Sequence, residues 1–323
     1  MLPDCSANAE TPAEKDSSLP APALMRGVLS LAIKQGLAAY WDLAKVIIPV
    51  YFAVALLSYA GIVAVFAKGL APAMGFFGLP GEAAVVLLTG WLLSLYAALG
   101  ALKALALPSS AVTAVGLMLL ICHALPMEWA VFQKMGARAG RVSLMRFLVS
   151  LLAGAGYALL CGKESLAAAA PMPAAVATGA GSFPIFLAGS LLGCAKLLAL
   201  VLAIILPITV ISEWARGREF LPRAARRLSL ALRQYGPGEG TLLPLLIGLI
   251  FGVVYGGGAM IALSRTGAVR PSEARTVALF LGLCHSLIED SLLLIALGGH
   301  WFWLVVVRFM LAILLTPILR RWA

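Results

Sequence analysis

Cys122-His123-Ala124-Leu125 and Cys284-His285-Ser286-Leu287 stand 162 residues apart, and the same offset carries Glu128 onto Asp290 and Arg146-Phe147 onto Arg308-Phe309. Upstream the offset shortens by a few residues. There Pro49 falls near Pro207, Gly81-Glu82 near Gly238-Glu239, and Tyr96 near Tyr255. Matched elements in the same order identify a tandem duplication.

The copies are written in a membrane alphabet. Of 323 residues, 62% are hydrophobic and 12% charged, with a mean hydropathy of +1.00. A soluble domain needs more polar surface than that. Apolar runs at about 44–66, 80–105, 111–133, 142–161, 184–212, 240–263, 274–297 and 301–320 predict membrane-embedded helices. Residues 22–40 interleave Arg26, Lys34 and Gln35 with apolar residues, which predicts an interfacial amphipathic helix. The six arginines between 213 and 237 predict a second. Residues 1–21 are polar and acidic without a signal-peptide pattern, so a disordered tail is expected. The resulting order is a tail over 1–21, a first repeat over 22–162, an Ala/Pro/Gly-rich linker over 163–183, and a second repeat over 184–323.

Charge decides how the copies are oriented. If all eight apolar segments cross, the loop and loop-proximal Lys and Arg residues divide 10 to 10 between the two faces. That violates the positive-inside bias. If 80–105 and 240–263 are instead re-entrant hairpins, each half crosses three times and the halves are inverted. The division becomes 17 against 3 (Lys68, Lys103 and Lys163). The expected fold is therefore an all-α polytopic membrane protein of two inverted repeats. Each repeat has about three transmembrane helices plus one re-entrant helical hairpin, with interfacial amphipathic helices. The bias also places the N- and C-termini in the cytoplasm and the chain in a bacterial inner (plasma) membrane. Each hairpin carries a polar or glycine break, Thr89-Gly90 and Gly248/Gly252, and a tyrosine followed by small residues, Tyr96 and Tyr255. Broken backbone survives at membrane depth only where it is buried or lines a cavity. A plain Gly-rich span with close packing is the alternative reading of these segments.

Ionisable residues inside spans are costly and point to function. They come here in matched sets: His123, Glu128 and Arg146, then His285, Glu289, Asp290 and Arg308. Pro126 is expected to kink the first set's helix and free the carbonyl of Cys122. The set predicts a midplane polar site in which imidazoles donate and accept, carboxylates accept, and Arg146 and Arg308 balance charge. The competing reading makes the arginines pure helix struts. The paired Cys122-His123 and Cys284-His285 also raise a transition-metal alternative.

Other classes are excluded or weakened. The net charge of +10 is the loop bias of a membrane protein facing anionic lipid, and no arginine-rich stretch is interleaved with stacking aromatics, so nucleic acid is not a partner. Five cysteines lack CxxC spacing and predict no disulfide framework. No P-loop, HExxH or nucleophile–base–orienter set is present, so no enzyme is expected.

These motifs resemble the nucleoside-recognition (Gate) domain family. The resembling stretches are Gly78-Leu-Pro-Gly-Glu82, Thr89-Gly90, Tyr96-Ala-Ala, Cys122-His-Ala-Leu-Pro-Met-Glu128, Lys134-Met-Gly136, and His285-Ser-Leu-Ile-Glu289-Asp290 with Arg308. Gate domains also occur in concentrative nucleoside transporters and in ferrous-iron transport protein B. The resemblance implies hairpins that enclose a substrate, and homo-oligomers occur among such carriers. This sequence lacks the Gln-Thr-Glu hairpin signature of the nucleoside carriers and the GTPase domain of the iron transporter. The expectation is a secondary transporter of a small polar solute, nucleoside-like, working by alternating access. Its substrate site would comprise His123, Glu128, His285, Glu289, Asp290, Thr89, Gly90, Tyr96 and Tyr255, with a proton or sodium as coupling ion and no cofactor. A non-transporting membrane scaffold and a divalent transition-metal carrier are the alternatives.

Overall fold

The structure is a computed structural model, and it describes residues 21–162, 182–216, 239–267 and 269–322. The tail expected over 1–21, nearly all of the linker over 163–183, and the arginine-bearing helix of 213–237 beyond Arg216 lie outside the described residues.

All the regular secondary structure of the described residues is helical. The first half contains α1 (Ala21–Tyr59), α2 (Ile62–Phe76), α3 (Ala83–Leu92), α4 (Leu95–Leu105), α5 (Ser109–Ile121), α6 (Leu125–Lys134) and α7 (Ala139–Cys161). The second contains α8 (Phe183–Arg216), α9 (Glu239–Phe251), α10 (Val253–Arg265), α11 (Pro271–Leu283), α12 (Glu289–Ala296) and α13 (Phe302–Leu319), whose first six residues form a π-helical turn. Apart from α2 in the first half, the order of long helix, broken pair, broken pair and long helix occurs twice among the described residues. Five stretches are long and apolar enough to cross a membrane: Leu29–Tyr59, Ser109–Lys134, Ala139–Cys161, Phe183–Ile211 and Phe302–Leu319.

Residues 22–40, expected to form a separate interfacial helix, run without a break into the first span as one 39-residue helix. That span also stops earlier than residue 66. Gly61 takes φ +74°, a left-handed conformation open to glycine, and the chain restarts as α2.

The two broken pairs α3–α4 and α9–α10 are hairpins. Their arms hold 10 to 13 residues, about 15–20 Å each, against a hydrocarbon core of about 30 Å. In a continuous helix, residues eight apart would be ~12 Å apart. Instead a Cβ on Gly90 would stand 3.1 Å from the Cβ of Ala98, and one on Gly256 would stand 2.4 Å from Gly248 Cα. The chain therefore doubles back at the same place in both halves, by different means. The first break lies past Thr89-Gly90, the place expected for it from the sequence, because those two residues stay inside α3. At the first tip Ser94 is extended and its Oγ accepts a hydrogen bond from Ala97 N at 3.1 Å, a serine N-cap for α4. At the second tip Gly252 supplies φ +96°.

Helices α5 and α11 form the centre. Every residue from Ala111 to Ile121 is buried, as is every residue from Thr276 to Leu283. A helix apolar on all sides is an interior helix. By contrast, α7 exposes Leu144, Leu148, Leu152, Leu159 and Leu160 along its outer side. A patch of that size belongs against lipid rather than water.

Candidate functional site

The centres of both halves are built by one local device. Helices α5 and α11 end just before Cys122-His123 and Cys284-His285. The next residues, Ala124 and Ser286, take φ of 45° and 46°. Left-handed backbone is uncommon outside glycine, and here each turn is clipped to a hairpin. Ala124 N donates to Gly90 O at 2.8 Å; Ser286 N donates to Gly248 O at 3.1 Å, and Leu287 N to Leu249 O at 2.8 Å. The kink expected from Pro126 has another cause, because the second half breaks identically without a proline. Pro126 sits in the first turn of α6, where its missing N–H costs nothing.

Each histidine is then fixed by its own helix end. His123 Nδ1 lies 2.8 Å from Leu119 O, and His285 Nδ1 lies 2.7 Å from Leu281 O. A carbonyl can only accept, so Nδ1 carries the hydrogen, and in the neutral ring Nε2 presents its lone pair. The two Nε2 atoms face each other at 3.3 Å across the boundary between the halves.

Charged side chains surround this pair. Glu128, Arg146 and Arg308 are fully buried. Glu128 Oε2 meets Arg146 Nη1 at 2.9 Å, while Glu128 Oε1 lies 3.4 Å from His123 Nε2 and 3.7 Å from His285 Nε2. Arg146 Nε also donates to Gly282 O at 2.6 Å and Ile121 O at 3.2 Å. Arg308 donates from Nε to Leu283 O at 3.2 Å and from Nη2 to His285 O at 2.7 Å. The arginines therefore lock the ends of α5 and α11 and sit behind the site. Across the halves, Tyr96 OH on α4 donates to Glu289 Oε1 on α12 at 2.9 Å.

A cavity of about 590 Å³ opens over these groups. His123, Glu128, His285, Glu289, Asp290, Tyr96 and Tyr255 all line it. Thr89 and Gly90 do not: Thr89 Oγ1 donates to Val85 O at 2.5 Å and Gly90 carries the clip to Ala124. Neither do Cys122 and Cys284. Among the described residues, the group whose donor atoms converge within 4.8 Å is His123, His285 and Asp290, with no cysteine. The sequence reading missed part of the wall, namely Gln35, Asp42 and Glu213 from α1 and α8, and Ser286 from the second break. Only Ser286 carried a signal, its place inside the repeated Cys-His phrase. Five carboxylates line the cavity (Asp42, Glu128, Glu213, Glu289 and Asp290), with no lysine or arginine among its described lining residues.

The chain is similar to known sequences in two ways. The family model described as Gate, nucleoside recognition, matches residues 40–138. A Bacillus subtilis (strain 168) protein described as "Uncharacterized membrane protein YvoD" is 31% identical over 294 residues, which is 90% of this chain and 94% of the relative. No solved structure matches the chain.

Proposed function

The chain belongs to the Gate (nucleoside recognition) family of membrane proteins, and from that premise we propose that it is a secondary transporter carrying a small polar solute by alternating access. The observation that carries this reading is the cavity itself. Both halves line it, and it joins two imidazoles and several carboxylates to Tyr96, Tyr255 and Phe251. Pockets for small molecules run to about 300–1,000 Å³, and aromatic walls with a few acceptors suit a flat heterocycle bearing N–H and O–H groups. The acidic lining favours a neutral or cationic solute over an anion. A nucleoside or related heterocycle meets those terms.

In this reading the halves are inverted, each giving three crossings and one hairpin, and the two hairpins open in turn on opposite faces. The 17-to-3 division of loop charges supports that topology, and with it both termini in the cytoplasm of a bacterial inner membrane. A proton or sodium ion supplies the driving gradient. The scaffold reading accounts for Arg146 and Arg308 through their backbone contacts, but it gives the cavity no task.

Uptake into proteoliposomes over a panel of nucleosides and nucleobases tests the proposal. Uptake of one solute class, reduced in Tyr96→Phe and Glu289→Gln, is expected. A folded protein that moves none of the panel under proton or sodium gradients defeats the transport reading. Labelling of single cysteines at positions 138 and 223 tests the topology, since inversion requires both on one face.

A further inference from the structure

We propose that His123 and His285, with Glu128 and Asp290, form a binding site for a divalent transition-metal cation at the floor of the cavity. The argument starts from which atoms have hydrogens to give. Both Nδ1 hydrogens are committed to the carbonyls of Leu119 and Leu281, so in the neutral rings each Nε2 faces the other at 3.3 Å with a lone pair. Glu128 Oε1 joins them at 3.4 and 3.7 Å, while its other oxygen is held by Arg146. Three acceptors thus converge at the floor of the cavity, and electron pairs so placed repel one another. A cation between them turns that repulsion into ligation.

The spacing fits a metal ion. Tetrahedral coordination with bonds of about 2.0–2.1 Å leaves ligand atoms about 3.3–3.4 Å apart. The three edges here are 3.3, 3.4 and 3.7 Å, one slightly open face of such a tetrahedron. Asp290 approaches from the other repeat, with its donor atom and those of both histidines within 4.8 Å of one another. A move of its carboxylate toward the two Nε2 atoms would fill the fourth position.

Support around the ligands has the form metal sites require. A ligating imidazole ordinarily donates its second N–H to a carbonyl or carboxylate, which fixes tautomer and orientation. Both histidines do so before any ion is present. Two imidazole nitrogens with carboxylate oxygens suit Zn²⁺, Fe²⁺, Co²⁺ or Mn²⁺. Magnesium and calcium prefer oxygen alone. The five carboxylates along the cavity give a cation an attractive route inward. The thiols of Cys122 and Cys284 take no part. This goes beyond the transport reading and does not depend on which solute the cavity carries.

The test is equilibrium binding by the full-length protein in detergent after chelator treatment. Titration with Co²⁺ is expected to give the visible absorption of a tetrahedral nitrogen–oxygen site, saturating at one equivalent, and Zn²⁺ is expected to displace it. His123→Ala and His285→Ala each should lower affinity by more than about 100-fold, beyond the usual 10–100-fold effect of disturbing a ligand's support. The double variant Cys122→Ser/Cys284→Ser should bind like the wild type. Wild-type protein that shows no stoichiometric Co²⁺ uptake overturns the site, as does an unchanged spectrum in folded His123→Ala or His285→Ala protein. A low-field imidazole proton resonance without metal uptake would also overturn it, since a shared proton would then fill the gap. Failure of solute uptake with Co²⁺ binding intact would defeat the transport reading alone.

Discussion

Arg146 and Arg308 each aim Nε at the carbonyl oxygen 25 residues upstream, Ile121 and Leu283, at the same 3.2 Å. Those carbonyls belong to the last turns of α5 and α11, where helices run out of internal donors. A guanidinium there satisfies an orphan acceptor and also complements the negative end of the helix dipole. The duplicated arginines therefore hold two broken helices in shape, so that the histidines beyond each break are placed in register.

Removing both partners of the Arg146–Glu128 pair should cost less than the two single removals taken together. Arg146→Met leaves Glu128 as a buried charge without its cation, at a cost of about 3–5 kcal/mol. The double variant Arg146→Met/Glu128→Leu should cost less than the two single changes added together. Thermal unfolding of the four proteins in one detergent closes the cycle; strict additivity would contradict the pairing.

The second hairpin makes a sharper stability prediction. A Cβ on Gly256 would meet Gly248 Cα at 2.4 Å and Pro244 O at 2.7 Å, both backbone atoms that cannot step aside. Gly256→Ala should destabilise by about 1–3 kcal/mol or more. Two residues on, a Cβ at Gly258 meets nothing within 4 Å. Gly258→Ala should be neutral or stabilising by up to about 1 kcal/mol. Equal melting temperatures for the two variants would rule out the hairpin packing.

Tyr96→Phe deletes one oxygen and leaves Glu289 without the donor it has at 2.9 Å. Glu289 is half-buried and faces the cavity, so losing that hydrogen bond costs about 0.5–1.5 kcal/mol. Because both residues line the cavity, a loss of solute affinity of about tenfold should accompany a modest fall in melting temperature. Unchanged affinity would assign this contact to packing between the halves alone.

Acidification should weaken the proposed cation site. Ligation needs the Nε2 lone pairs of His123 and His285, so protons compete with the metal and binding releases them. Co²⁺ affinity measured between pH 8 and pH 5 should fall steadily with falling pH. A flat profile would remove the imidazoles from the ligand set.

Much of this architecture was legible in the repeated Cys-His phrase and in the apolar runs. The membrane class, the helical fold and the two hairpin segments follow from hydropathy, from Gly248 and Gly252, and from the division of loop charges. The convergence of His123, Glu128, His285, Glu289 and Asp290 followed from the cost of burying such groups in a span. What stayed hidden depends on contacts between distant segments. The breaks at Ala124 and Ser286 are set by amides bonded to Gly90 and Gly248, and no local signal announces a partner 34 or 38 residues away. Thr89 and Gly90 looked like ligands because polar and glycine residues are conspicuous in an apolar segment. Packing turned them to holding the backbone instead. Asp42 and Glu213 came into the wall only because α1 and α8 lie side by side, a pairing invisible in either helix alone.

The amide clips at Ala124 and Ser286 give the molecule a mechanical linkage. Each hairpin is tied by backbone to the very turn that bears a histidine, so a tilt of either tip is levered directly into the imidazole pair. In the proposed alternating-access cycle, swinging one arm outward would drag its ring away from its twin and dissolve the shared pocket of lone pairs, whichever arm moved first. Whatever rested between the rings would be let go by the same stroke that unlatches the gate.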